Sequence, residues 1–115
     1  MGTAKYRSEW GSVRTGYRRY VRVGLFQRDK ERLALRAWRG PASPPASLRL
    51  GEGDVGATGT SGATRVAGPR LVVPVLAGSF VAGVIDVESD RPAAIEEEDR
   101  PLVERVATVL AARLT

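Results

Sequence analysis

Cysteine and histidine are both absent from this chain of 115 residues, which holds one methionine and only 6% aromatic side chains. Without Cys there is no disulfide, thiolate nucleophile, bilin thioether link or Cys-ligated metal. Without His the usual general base, the usual haem ligand and the commonest zinc ligand are missing. Catalysis would fall to Asp, Glu, Arg, Lys, Tyr, Ser or Thr, so no catalytic residue, metal site or cofactor is assigned and an enzyme is not expected. No apolar run approaches the length of a membrane span, and the amino terminus lacks an apolar signal core. A cytoplasmic location with no membrane partner is the expectation.

What is present suits one domain. The length is enough to bury a core without staples, and 43% hydrophobic with 27% charged residues is ordinary for a globular chain. The charge is uneven. Residues 1–40 hold eleven Lys or Arg against Glu9, Asp29 and Glu31, a net of +8, while the remainder is net −3. A basic half beside an acidic half marks either a nucleic-acid patch or self-complementarity within the chain or between subunits. No helix-turn-helix or aromatic RNA-binding signature accompanies the charge, so self-complementarity is preferred and no nucleic-acid partner is expected.

Periodicity places the elements. Tyr6, Trp10, Val13, Tyr17, Tyr20 and Val21 recur at helical spacing, but Gly11 and Gly16 weaken a helix, so residues 1–19 read as a helix or an extended arm. Tyr20–Gln27 alternates as a strand, with Val21, Val23 and Leu25 on one face and Arg22, Gly24 and Phe26 on the other. After the polar turn 28–31, Arg32–Trp38 returns, with Leu33, Leu35 and Ala37 on one face and Arg32, Ala34, Arg36 and Trp38 opposite. Three prolines make residues 40–47 a surface loop. Leu48–Leu50 and Thr64–Val66 suit short strands, and one or two helical turns cover Asp54–Thr58. Leu71–Leu76 and Phe80–Glu88 form a second hairpin. The acidic cluster Glu96–Asp99 suits the positive end of a helix dipole, and Pro101 fits only a first turn, so a helix starts near Asp99. Its apolar stripe is Leu102, Val103, Val106, Val109, Leu110 and Leu114.

Three of these pieces, in order, resemble the GAF domain. Leu50-Gly51-Glu52-Gly53-Asp54-Val55-Gly56 is similar to that family's LGEG-x-x-G turn before the pocket helix. Val73–Leu76 followed by Gly83–Val87 is similar to its central hairpin, and Ile95–Asp99 to the segment that opens its last helix. The match spans about residues 20–115, in a compact, truncated version whose pattern is nearest to stand-alone bacterial GAF proteins. Those include the free methionine-R-sulfoxide reductase branch. The resemblance implies an α+β, profilin-like fold: an antiparallel sheet with terminal helices on one face and a ligand pocket on the other. It also implies a sensory or dimerising role in bacterial signalling. Dimerisation would use the terminal helices, with Trp10, Val13, Leu102, Val106, Val109 and Leu110 as the interface. No protein partner is indicated.

Two departures bear on the pocket. The amino-terminal helix is short or broken. Only Ala67–Arg70 separates Val66 from the next strand, where the family has a longer segment bearing a lid helix, so the pocket should be open, shallow or lost. The reductase branch works through Cys near the loop and the Gly-rich turn; here that region offers Pro45, Ser47 and Val55, and sulfenic chemistry needs a thiol. A degenerate relative of that enzyme and a basic nucleic-acid module are the alternatives to a non-catalytic sensor.

Strand alternation nominates the pocket face: Arg22, Phe26, Arg36 and Trp38 from the first hairpin, and Val84, Asp86 and Glu88 from the second. Arginine with a stacking aromatic suits a small planar or anionic ligand. The competing assignment is an internal ion pair of Arg22 or Arg36 with Asp86 or Glu88, and Trp38 in the core. Gly51–Gly62 supplies backbone donors at the rim without the ending of a P-loop. Asp54 and Asp86 are candidate paired acids that nothing in the sequence brings together.

Overall fold

The computed structural model describes residues 20–89 and 99–114. The expected amino-terminal helix or arm, with Trp10 and Val13, lies outside the described residues, as does the acidic stretch before Asp99. In chain order the elements are β1 (Tyr20–Asp29), β2 (Arg32–Arg39), β3 (Ser47–Arg49), α1 (Gly53–Ser61), β4 (Arg65–Ala67), β5 (Arg70–Ala77), β6 (Phe80–Ser89) and α2 (Asp99–Leu114). The strands form a single antiparallel sheet in the order β3-β2-β1-β6-β5-β4. This is the α+β architecture expected.

The sheet has a core on each face. Phe26, Leu33, Val72, Val81 and Val84 pack with Val55 of α1 on one side, flanked by Leu35, Leu48 and Leu50. Leu71, Val73, Val75, Ile85 and Val87 pack with Val103 and Ala107 of α2 on the other. Coverage on both sides explains why residues 71–75 form an unbroken apolar run and not an alternating one. Pro74 sits where this run becomes a sheet edge, because β4 pairs only with Arg70–Val72. A missing N–H is tolerated at such an edge.

The final helix begins where its signals place it. Pro101 occupies the third position, and the Tyr20 hydroxyl donates a 2.5 Å hydrogen bond to Asp99 Oδ1, tying the helix start to β1. Val103 and Ala107 face the sheet, Leu110 and Leu114 pack beside them, and Leu102, Val106 and Val109 remain exposed. The α1 helix runs longer than expected, for nine residues.

The first hairpin departs from simple alternation. Phe26 lies opposite Leu35 but Leu25 opposite Ala37, so Arg36 is a bulge residue with no register partner. A bulge inserts one residue and reverses the alternation beyond it. Leu33 and Leu35 therefore join Phe26 on the α1 side, and Ala37 turns to the opposite face. The sequence reading, made with an uninterrupted period of two, had placed Leu33 and Leu35 on the face opposite Phe26, with Arg36 and Trp38 on Phe26's side.

Candidate ligand site

The α1 face holds a row of charge across three adjacent strands. Glu88 on β6 is the register partner of Arg22 on β1 and of Arg70 on β5. Both guanidinium groups reach Glu88 Oε2, Arg22 Nη2 at 2.5 Å and Arg70 Nη2 at 2.8 Å. Arg70 also has Nε 3.3 Å from Asp86 Oδ1 and Nη1 3.4 Å from Asp54 Oδ2, while Asp54 pairs with Arg65 at 2.9 Å. Asp54 and Asp86, unconnected in the sequence, are thus held on one arginine.

These groups floor a cavity of about 160 Å³. Arg22, Phe26, Arg70 and Asp86 come from the sheet, Asp54 and Val55 from α1, and Pro44 and Pro45 from the loop after β2. The β4–β5 turn is as short as the sequence shows, with Ala67 directly opposite Arg70, so no lid helix lies there. The proline loop forms the wall instead. Pro44 is buried, and its ring lies 3.6 Å from where a Cβ would stand on Gly24.

The turn before α1 shows why glycines recur in it. Gly51 and Gly53 adopt φ of +88° and +65°, a region open to glycine at low cost. Gly56 fills a different need: a Cβ there would stand 2.5 Å from the Arg49 carbonyl oxygen. Helix and turn are pressed together, and the Gly51 N–H donates to the Gly56 carbonyl at 2.8 Å. This contact sets Asp54 and Val55 against the cavity.

Asp86 is the electrostatic anomaly. It is 3% exposed, and its Oδ1 has no hydrogen-bond partner despite the nearby Arg70. Burial raises its pKa to about 7. Arg70 pulls the other way, but that single charge is shared with Glu88 and Asp54, so desolvation prevails. Glu88 also suffers from burial, yet hydrogen bonds from Arg22, Arg70 and Asp86 hold its pKa below the usual value. For Arg70, burial works to lower the pKa, and the bond to Glu88 with the charges of Asp86, Glu88 and Asp54 raises it on balance. A protonated Asp86 donating to ionised Glu88 fits both carboxyl groups.

Of the residues nominated from sequence, Arg22, Phe26 and Asp86 line the cavity, and Glu88 anchors its two arginines. Arg36 and Trp38 are not brought there: Arg36 is exposed at the bulge, and Trp38, 40% exposed, lies further along β2 opposite Gly24. The hub, Arg70, was missed, although folding the second hairpin about its tight turn places it opposite Glu88. A larger groove of about 370 Å³ beside α2 has its polar groups satisfied by one another, Thr64 and Arg100 both bonding Glu104. Among the described residues no cluster of His, Cys, Asp and Glu is arranged to hold a metal, and no helix is long and apolar enough to cross a membrane.

No protein-family model matches the chain, and no curated protein matches it. Solved structures do. The type II free methionine-R-sulfoxide reductase from Thermoplasma acidophilum superposes with a TM-score of 0.75 at 24% identity, over 84% of this chain and 79% of that one. The free methionine-R-sulfoxide reductase from Neisseria meningitidis, in complex with its substrate, gives 0.75 at 24% identity over 83% and 67%. The GAF domain of an Acinetobacter phosphoenolpyruvate-protein phosphotransferase gives 0.73 at 22% over 83% and 71%. At these identities the likeness establishes the GAF-domain fold. Unlike a thiol-dependent reductase, this chain has no cysteine.

Proposed function

We propose that this domain is a non-catalytic sensory module that takes a small molecule bearing a protonated amine into the Asp86 cavity. The observation that carries the reading is Asp86, which lines the cavity and whose buried Oδ1, 3.3 Å from Arg70 Nε, has no hydrogen-bond partner. A buried acceptor of this kind is costly until a donor arrives. An anionic ligand is the poorer fit, because Arg22 and Arg70 are already engaged by Glu88. At roughly 30 Å³ per water the space equals about five waters, which suits a compact molecule such as an amino acid. Phe26, Pro44, Leu48 and Val55 would receive its apolar part. That two of the similar structures are enzymes acting on a free, modified amino acid supports the size and class.

The route from the cavity to the rest of the molecule is short. Asp86 and Glu88 alternate on β6 with Ile85 and Val87, which pack in the α2-side core. A ligand that neutralises Asp86 changes the charge balance on β6 directly behind α2. The exposed stripe of Leu102, Val106 and Val109 on α2 is the surface through which a second copy would read that change, as in a dimeric signalling protein.

The carboxylate must ionise to receive an ammonium group. With a pKa of about 7, roughly tenfold tighter amine binding is expected at pH 8 than at pH 6. Titration calorimetry with free amino acids, and with the matching carboxylic acids that lack the amine, reads this. Asp86→Asn should abolish both the binding and its pH dependence. Equal heats from amine and amine-free compounds, or no heat from any, would overturn the ligand class.

For the α2 stripe, Val106→Glu should convert a dimer to a monomer in sedimentation analysis. Unfolding free energy should move by no more than about 0.5 kcal/mol, since the side chain is surface-exposed in the single subunit. A wild-type protein that is already monomeric, or a variant dimer, would remove this face from the proposal.

A further inference from the structure

Exposed arginines without a carboxylate partner occur singly on α2, at Arg105 and Arg113, but cluster on the first hairpin and β3. Arg22, Arg65, Arg70 and Arg100 each lie within ion-pair distance of a carboxylate, on the α1 face or on α2. On the first hairpin and β3 the pattern is different. Lys30, Arg32, Arg36, Arg39 and Arg49 are all exposed, and among the described residues none pairs with a carboxylate. The sequence suggested that the basic half would be neutralised by the acidic carboxyl-terminal part or by a second subunit. Over the described residues, this edge of the sheet is not.

Its geometry sharpens the point. Arg32 and Arg49 are direct register partners on adjacent strands, and like charges so placed repel. Arg32 is oriented by the Ser47 hydroxyl, to which its Nε donates at 2.6 Å. Asp29 is the register partner of Arg32 on β1 without ion-pairing to it, and Glu52 accepts from the Arg49 backbone N–H at 2.9 Å. Arg32, Arg49 and Glu52 border an open depression with Leu50 and Gly51. Further along, β3 pairs with β2 only over Arg32–Ala34, and the Leu35 N–H is taken by Ala46. Residues 36–39 therefore form a free edge, where the bulge at Arg36 breaks the pleat. Trp38 stands between Arg36 and Arg39 with 40% of its surface exposed.

An eight-residue strand extends about 26 Å at roughly 3.3 Å per residue. A basic line of that length suits a chain-like polyanion better than a small anion. Guanidinium forks match phosphate oxygens, and the exposed Trp38, opposite Gly24 on the other face of the same edge strand from Arg39, gives a strand that wraps the edge a base-stacking platform an acidic peptide would not use. We infer that the β2–β3 edge of the sheet is a binding surface for single-stranded nucleic acid, with Arg32, Arg36, Arg39 and Arg49 on phosphates and Trp38 stacked on a base. This surface is separate from the Asp86 cavity and does not depend on the ligand proposed for it.

The test is fluorescence anisotropy of a labelled single-stranded oligonucleotide, DNA and RNA in turn, titrated with the full chain across salt concentrations. Arg36→Ala/Arg39→Ala should lower the slope of log K against log salt by about 1.4, at ~0.7 per phosphate contact on a single strand. A control with the same charge change on α2, Arg105→Ala/Arg113→Ala, should leave the slope near wild type. Trp38→Ala should weaken binding at least about fivefold, the lower bound for loss of one stacked base. In a Trp10→Phe background, Trp38 fluorescence should quench on binding. These are surface substitutions, and circular dichroism confirms folding. The inference is overturned by no anisotropy change at about 50 mM salt with protein at about 100 μM. An equal loss in the α2 control, an unaffected Trp38→Ala, or tighter binding of polyglutamate than of the oligonucleotide overturns it too.

Discussion

Asp86→Asn should stabilise the domain by on the order of 4 kcal/mol at pH 8 and change it little at pH 4. The folded pKa of Asp86 is raised by burial to about 7, against about 3.9 in an unfolded chain. Between those values the folded state keeps a proton that the unfolded state has released. Stability therefore falls as pH rises through 7, and the contribution is fully present only below the unfolded value. Glu88 runs the other way. Its pKa is lowered, so its contribution is present above the ordinary glutamate value and is lost as pH falls through the folded one. Stability should peak between these two limits, in mildly acidic solution. Asparagine mimics the neutral form and can still donate to Glu88, so the variant should lose the decline between pH 5 and 8. Urea unfolding at both pH values distinguishes the cases. A wild type whose midpoint does not fall toward pH 8, or a variant that declines as the wild type does, would show that Asp86 ionises freely in the fold.

Gly56→Ala should cost about 3 kcal/mol, more than any surface change in the domain. The added Cβ would lie 2.5 Å from the Arg49 carbonyl oxygen and 3.0 Å from the Gly51 nitrogen, both backbone atoms that cannot rotate away. The helix must back off from the turn, breaking the Gly51 to Gly56 hydrogen bond and shifting Asp54 from Arg70. Overpacking against fixed atoms falls in the range of about 1–3 kcal/mol or more. Gly53→Ala is the instructive comparison: its φ is +65°, but nothing lies within 4 Å of the new carbon. It should cost only about 1 kcal/mol. If Gly56→Ala unfolds at the wild-type denaturant concentration, the close approach of helix and turn is not a constraint. If Gly53→Ala proves the worse of the two, conformational strain and not contact governs this motif.

Much of the fold was legible because its signals are local. Alternation in Tyr20–Gln27, the apolar run after Leu71 and its tight turn, and Pro101 within an acidic helix start all specify backbone conformation over a few residues. These recovered both hairpins and α2 with boundaries shifted by a residue or two. Half of the site was legible for the same reason: Arg22, Phe26 and Asp86 share a face by parity within their own strands.

The remainder required the tertiary structure. The bulge at Arg36 reverses which side Leu33 and Leu35 present, and one unpaired residue leaves no mark in a pattern of alternating side chains. Arg70 becomes a hub only when β5 lies beside β6 and α1 folds above them, because its partners come from three separate elements. Net charge is a property of composition, so the uneven balance could be counted from the chain. Which arginines are neutralised and which face solvent depends on distances of a few ångströms between segments far apart in sequence. For that reason the absence of thiol and imidazole chemistry, the α+β class and the two hairpins were determined by the sequence alone, whereas the burial of Asp86 with one oxygen lacking a hydrogen bond and the unpaired basic edge were decided by the fold.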